Sequence, residues 1–386
     1  MKACRVKGMP KTSSLHKTSP QHIAIIGAGM AGITAARTLL QAGHRVTVFE
    51  KSKGTGGRMS TRRTEFGSFD HGAQYFTVRD ARFRAMMQWA LGNAPEIARP
   101  WAANAVRVLD AQGRTLEAAL PSREPHWVAQ PGMNALVGLM AAPLLAKKLI
   151  LQAKQVRIIE RAANGQYSLQ CHNPDDASAK PENIGGFDAV LLAIPSVQAH
   201  SLLQDSSLSK NERSAQEARR LMANFASKVS QVTVSPCWTL MLAFPNALPL
   251  KPNEPVRPLG PQWSAARSTH HRISWLARES SKPGRGGIER WTVQASAAWS
   301  AEHLEDDAER AKAKLLKAFA EITNIRAEPA YAQVHRWRYA KTDKPLGTSH
   351  LWDKANGIGV CGDWCLGHRV EDAFVSGLEL AFAVSA

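Results

Sequence analysis

The chain lacks the cysteine pattern of a disulfide scaffold or a metal site. Its five cysteines, Cys4, Cys171, Cys237, Cys361 and Cys365, are scattered over 386 residues. A secreted disulfide framework clusters them, so a reducing, cytoplasmic location is the expectation. Cys361 and Cys365 have three residues between them where zinc and redox pairs have two, so no metal is expected. No apolar run reaches the roughly 18 residues that a membrane-spanning helix needs. Residues 1–20 hold no acid and no apolar signal core, only Lys2, Arg5, Lys7, Lys11 and Lys17 among polar neighbours, and read as a disordered basic extension. Acids are short throughout: 32 against 49 basic residues, a net charge of +17. Such a field favours anionic partners. No zinc-finger, helix-turn-helix or RNA-binding signature accompanies it, so nucleic acid is not expected.

What is present begins at His22. Ile23–Ile26 is a short apolar strand, followed by Gly27, Gly29 and Gly32 in G-x-G-x-x-G spacing. Gly27 permits the turn, Gly29 lets a pyrophosphate approach the backbone, and Gly32 lets the next helix lie against the sheet. That helix is predicted over Met30–Ala42, with Ile33, Ala36, Leu39 and Leu40 inward and Gly43 as its stop. The free N–H groups of Met30 and Ala31 belong to its positive end. A second strand, Arg45–Glu50, ends in a carboxylate roughly 20 residues past the glycines, where a ribose is hydrogen-bonded. A second glycine turn follows Lys51, with Gly54, Gly56 and Gly57 and then Arg58, suited to a phosphate or to the polar edge of a ring. A plain NAD site does not need this second turn.

Further along, Pro131-Gly132 turns into a helical pattern over Met133–Leu145. Lys154–Ile159 is strand-like, 160–187 reads as a hairpin, and Asp188–Ile194 is the continuous apolar run of a strand buried on both faces, ended by Pro195. From Ser196 to Arg336 the texture changes. A basic helix (Lys210–Ala223) precedes strands at Val232–Val234, Thr239–Phe244, Ile273–Arg278 and Arg290–Ala295, with a proline-rich crossing over Pro245–Pro261. A helix over Glu302–Phe319 has an acidic start and a basic end. Trp238, Trp263, Trp275, Trp291 and Trp299 cluster in this region; most are expected in the core, one or two along a substrate cavity. Gly357–Gly362 is the last strand, Asp363 follows it, and a helix starts at Val370. The length suits two domains.

The blocks GAGMAG (27–32), FEKSKGTGGRMSTRR (49–63) and FDHGAQYFT (69–77) resemble the flavin-containing amine oxidase superfamily, and within it the renalase-like NAD/FAD-dependent oxidoreductases. WVAQPGMNAL (127–136), FDAVLLAIP (187–195), ISWLARESSKPGR (273–285), AAWSAEHLE (297–305) and GVCGDWCLGHRVEDAFVSGLELA (359–381) continue the likeness in order. The resemblance implies an α/β (α+β overall) fold. A Rossmann-type FAD-binding domain would comprise 21–82, 126–200 and 332–386, and a mainly antiparallel-sheet substrate domain 83–125 and 201–331. It implies non-covalent FAD. Val156 would contact the adenine through its backbone, Pro195 would close that end, and Gly362 and Asp363 would hold the ribitol. Val370, Glu371 and Ala373 would open the helix that faces the flavin N1/C2=O edge. His71, Gly72 and Ala73 would join the cofactor shell, and Gln74 and Tyr75 would approach the isoalloxazine.

The activity so implied is an oxidase. A small donor, a dihydronicotinamide (an NAD(P)H isomer, an anionic nucleotide), gives a hydride to the flavin, and O2 takes the electrons. Arg62, Arg63, Arg79, Arg278, Arg338 and Arg369 are candidates to receive the donor's anionic part. Amine oxidation is the rival: those enzymes carry a tyrosine just before the C-terminal helix, where this chain has Arg369, a cation that repels a protonated amine. Gln74, Tyr75 and Arg369 are therefore the candidates for flavin-facing or substrate-facing roles. A desaturase or isomerase of the same fold, or a flavin-binding protein without turnover, remains the other alternative.

Overall fold

The computed structural model describes residues 19–101, 106–117, 124–176, 178–207, 213–245 and 259–386. The expected basic extension up to residue 18, and most of the Pro245–Pro261 crossing, lie outside these residues.

The first sheet has six strands, in the order Leu351–Asp353, Ile358–Val360, Ala189–Leu192, His22–Ile26, Arg45–Phe49 and Ile150–Leu151. All neighbours are parallel except the edge strand Leu351–Asp353. Side chains alternate across a strand, and here both sides are filled. Ile23, Ile25, Val46, Val48 and Leu191 face one core with the helices Met30–Gln41, Asn134–Ala146 and Val370–Ser385. Ala24, Ile26, Phe49, Val190 and Leu192 face another. That second core is closed by the antiparallel strands Gln155–Arg161, Tyr167–His172 and Glu182–Phe187 and by the helices Ser196–Ser207 and Arg213–Val229.

The second sheet has seven strands, in the order Tyr331–Lys344, Thr233–Phe244, Glu289–Ala295, Ile273–Arg278, Ala265–Ser268, Arg107–Leu109 and Thr115–Glu117. It is antiparallel apart from one pair, Ala265–Ser268 with Arg107–Leu109. One face carries Trp238, Leu240, Leu242, Leu276, Trp291 and Val293, packed on Ala311, Leu315 and Phe319 of the helix Ala308–Thr323. Register puts Thr239 opposite both Gln294 and His335, and Cys237 opposite Trp337, so these share the other face.

Several expectations are corrected. The helix expected over Glu302–Phe319 is two helices, Ala297–Glu302 and Ala308–Thr323. Asp307 breaks the pattern because its carboxylate accepts from the N–H groups of Glu309 and Arg310, starting a new helix, and the last turn of that helix holds no basic residue. The two strands expected at 232–244 are one, Thr233–Phe244, whose register shifts between Ser235 and Cys237. Pro236 sits at that irregularity, where no ladder donor is required. The helix Ala81–Asn93 packs Phe83, Met87 and Ala90 into the first domain's core, and Arg213–Val229 does the same with Met222, Phe225 and Val229. Conversely, Tyr331–Lys344 completes the second sheet.

Candidate flavin site

The carboxyl ends of the parallel strands place Gly27, Glu50, Ala193 and Gly362 along one edge, where open α/β sheets bind ligands. Gly27 has φ +108°, and a Cβ on it would meet the Ala193 carbonyl at 2.5 Å. A Cβ on Gly32 would lie 1.9 Å from the Gly27 oxygen, so the helix can approach only without a side chain. A Cβ on Gly29 would meet nothing nearer than the Gly57 Cα at 4.0 Å, so this backbone is open to a close-lying group. Gly57 (φ +55°) lies across from it, and the Gly56 N–H donates to the Ala28 carbonyl at 3.0 Å. The two glycine turns thus face each other.

Glu50 is buried beneath the turns. Its Oε2 accepts from the Ala28 N–H and its Oε1 from the Ser52 N–H, both at 2.8 Å. A carboxylate has about four acceptor positions, so it braces the turn with capacity left for ribose hydroxyls. Lys51 is exposed. Lys154 N–H donates to the Glu50 carbonyl at 2.9 Å, which ties the start of the strand carrying buried Val156 to the end of Glu50's strand. Pro195 follows Ala193. At the other end Arg58 makes an ion pair with buried Asp363, so the guanidinium expected on a phosphate or a ring edge is engaged with a carboxylate of the protein.

The loop Phe69–Phe76 closes over the second glycine turn. Ala73 N–H donates to the Arg58 carbonyl at 2.9 Å, and a Cβ on Gly72 would lie 2.0 Å from the same oxygen. The second sheet grips the loop from above. Gln294 Nε2 donates to the Gly72 carbonyl at 2.8 Å, and Trp337 Nε1 to the His71 carbonyl at 2.7 Å. The His71 ring stacks on Trp337 and meets His335 edge-on, with centroids 5.3 and 4.7 Å away. Burial first, then His335 and Arg62, pushes His71 down to about 3; burial and Arg62 push His335 down to about 4. Both rings are neutral near pH 7.

Gln74 is turned into the protein. Its Nε2 donates to the carbonyls of Asp70 and Gly72, and its Oε1 accepts from Lys282 Nζ at 3.3 Å. The half-buried Tyr75 stacks on His126 at 4.0 Å and lies 5.8 Å from Trp275. Of the five clustered tryptophans, Trp238, Trp263, Trp291 and Trp299 pack on the far face of the sheet, and Trp275 joins Tyr75. Arg369 is exposed and caps the helix Val370–Ser385, its N–H donating to Asp372 Oδ2 at 2.9 Å. Buried Glu371 accepts from the N–H groups of Arg79 and Asp80, both at 2.6 Å, and Val370 and Ala373 pack on the first core. The other candidate arginines have protein partners: Arg62 with Gln333, Arg79 with Glu124, Arg278 with Glu289 and Arg338 with Glu305. Arg63 is exposed.

Sequence reasoning missed Lys282, Arg285, His335 and Gln294. The two cations stand in the ISWLARESSKPGR block (273–285), where only their spacing from Glu279 hinted at a shared pocket.

The residues fit FAD. Beside the two open glycine turns, three buried polar atoms have no protein partner: Asn134 Oδ1 next to Gly56, Ser196 Oγ after Pro195, and His71 Nδ1. Burial raises the Cys361 thiol to about 12 and the Cys365 thiol well above its usual range, which keeps both from reacting with a flavin. Among the described residues no cluster of His, Cys, Asp and Glu could hold a metal ion, and no helix is long and apolar enough to cross a membrane.

A two-turn dinucleotide seat under an antiparallel sheet defines a flavoprotein fold. Residues 25–89 match the NAD(P)-binding Rossmann-like domain family, and residues 110–385 match the flavin containing amine oxidoreductase family. The chain belongs to the latter family, whose cofactor is a non-covalent FAD. It is 50% identical over 58 residues to an L-amino-acid oxidase of Bungarus fasciatus, a stretch covering 15% of this chain and 10% of that protein. A crystal structure from Exiguobacterium sp. 255-15 superposes with a TM-score of 0.68 at 13% identity, covering 96% of this chain and 99% of that one. A redesigned putrescine oxidase superposes with a TM-score of 0.63 at 11% identity, covering 95% and 98%. At these identities the two structures show the fold alone.

Proposed function

We propose that the chain is a renalase-like oxidase that takes a hydride from a neutral or anionic dihydronicotinamide, an NAD(P)H isomer, and passes the electrons to O2. One observation carries this reading. The carboxylates that the described residues bring to the seat, Glu50, Asp70, Glu279, Asp363 and Glu371, all meet protein donors already. A protonated amine entering there would be desolvated without an anion to receive it. Arg369, exposed at the start of the last helix, would instead attract an anionic donor.

The bound FAD supplies the hydride acceptor and the return of electrons to oxygen. The chain's own residues do the rest. The glycine turns would hold the pyrophosphate, and Glu50 and Asp363 would hold the two sugar-like ends. The start of the helix Val370–Ser385, whose first turn carries Glu371 and Asp372 on protein donors, would close the ring end of the seat. The sheet face with Thr239, Gln294, His335 and Trp337 covers the site and excludes water. His71 and His335, held neutral, provide no proton acceptor matched to pH 7. A dihydropyridine needs none, because it becomes aromatic as the hydride leaves.

Oxidation of an amine or amino acid is the second reading. The ring faces of Tyr75, His126 and Trp275 favour it, since stacked aromatic faces attract ammonium groups. Anaerobic mixing of the FAD-loaded chain with borohydride-generated NADH isomers, NADH, and a panel of amines and L-amino acids separates the two. Bleaching of the flavin by the isomers is the expected result. Bleaching by an amine or amino acid alone would establish the second reading, and bleaching by no compound would leave a flavin-binding protein without turnover.

A further inference from the structure

We propose that Lys282 is a positioning residue: through a closed, buried ion network it fixes the loop Phe69–Phe76 and sets the charge balance behind the flavin. This rests on the FAD seat and not on the identity of the donor.

Lys282 is fully buried, and its three N–H donors are all used: Asp70 Oδ2 at 3.0 Å, Glu279 Oε1 at 2.9 Å and Gln74 Oε1 at 3.3 Å. Arg285 donates to Asp70 Oδ2 at 2.5 Å, to Glu279 Oε2 at 2.8 Å and to the Ala129 carbonyl at 2.8 Å. Asp70 Oδ1 accepts from Thr61 Oγ1 at 2.7 Å and from the Met133 N–H at 2.9 Å. Glu279 Oε1 also accepts from Thr292 Oγ1 at 2.9 Å. Two acids and two bases, at most a few per cent exposed, pair into a unit of balanced charge, and a further buried cation, Arg290, lies beside it and donates to the Arg285 carbonyl at 2.6 Å. Burial alone would raise the Asp70 carboxyl; Lys282 and Arg285 outweigh it and hold the group ionised.

The unit spans the domain junction. Thr61 and Asp70 come from the hairpin after the glycine turns, Ala129 and Met133 from the entry to the helix Asn134–Ala146, and Glu279, Lys282, Arg285 and Thr292 from the second sheet and its loop. Gln74 links it to the seat. With its oxygen held by Lys282, the amide nitrogen is aimed at the carbonyls of Asp70 and Gly72, which shapes the turn that abuts Arg58. A stability role alone would be weak grounds for so many buried charges, because well-packed apolar side chains are often as stable. The neutral balance matters more: in a low-dielectric interior one unpaired charge acts over several ångströms, and reduction of a flavin adds negative charge nearby.

The test is the reduction potential of the bound FAD in the full chain, measured by dye equilibration without any donor. Lys282→Met leaves a net negative unit and is expected to shift the potential to more negative values. Glu279→Gln leaves a net positive unit and is expected to shift it to more positive values. The double variant, neutral again, should return towards the wild type. Packing damage would move the single variants the same way, so shifts of one sign, or none, overturn the proposal. If Lys282→Met does not fold, Glu279→Gln decides: a positive shift supports the proposal and no shift overturns it. A wild-type chain that takes up no FAD overturns seat and proposal together, whereas an FAD-loaded chain without opposed shifts overturns only the proposal.

Discussion

The two sheets contribute to the site in opposite ways. The parallel sheet offers what lies at the ends of its strands: Gly27, Glu50, Ala193 and Gly362 are all in turns just past a strand. The antiparallel sheet offers a face. Thr239, Gln294, His335 and Trp337 sit mid-strand on three different strands, and register alone brings them together. Seats made of turns tolerate almost no added atom, because the backbone itself is the contact. Seats made of faces depend on the packing behind them.

The comparison breaks most readily at the turns. Gly27→Ala should have the largest effect, since it adds a Cβ 2.5 Å from a carbonyl at a φ of +108°. A loss of about 3 kcal/mol or more and purification without flavin are expected, checked by thermal melting and by flavin absorbance. If Gly27→Ala retains FAD, the distinction between the two sheets fails. Leu240→Ala, on the hidden face of the second sheet, should cost about 2–5 kcal/mol in denaturant unfolding. The folded fraction should still bind FAD, because the turns are untouched.

Acid should weaken the face side. In the unfolded chain His71 and His335 titrate near the ordinary value of 6.5, but in the folded protein they titrate at about 3 and about 4. The unfolded state therefore binds more protons below 6.5, and stability falls as the pH drops from there through the two folded values. The slope approaches about 1.4 kcal/mol per pH unit for each ring. His71→Asn should flatten it in urea unfolding curves at stepped pH; an unchanged slope would show that the rings are not buried neutral. Trp337→Phe is the mildest probe. It removes the donor to the His71 carbonyl and should cost about 1 kcal/mol, raising the donor's KM with FAD content unchanged.

The same contrast decides what the sequence makes legible. The first strand, its glycine turn and the helix Met30–Gln41 are local, and each follows from spacing and periodicity within a few residues. The buried run at Ala189–Leu192 is equally plain. Gln294 and His335 could not be placed, because nothing near them in the chain distinguishes one face of their strands from the other. Lys282 reads as a surface lysine in a serine-rich turn; its partner Asp70 is more than 200 residues away. The pairing of Arg58 with Asp363 was hidden for the same reason. The helix break at Asp307 was hidden among the acids from Glu302 to Glu309, which read as one acidic helix start, and only the capping geometry reveals the new start.

The loop Phe69–Phe76 is held by Arg58, Lys282, Gln294 and Trp337. Its holders are thus made at very different times on the ribosome. Contacts of such separation close late, after local elements have formed. The grip on this loop is therefore completed only after the strand Tyr331–Lys344 has been made. A nascent chain that stops short of the strand Tyr331–Lys344 has both glycine turns yet no finished place for the ring. Cofactor capture thereby reports that synthesis has passed the strand Tyr331–Lys344.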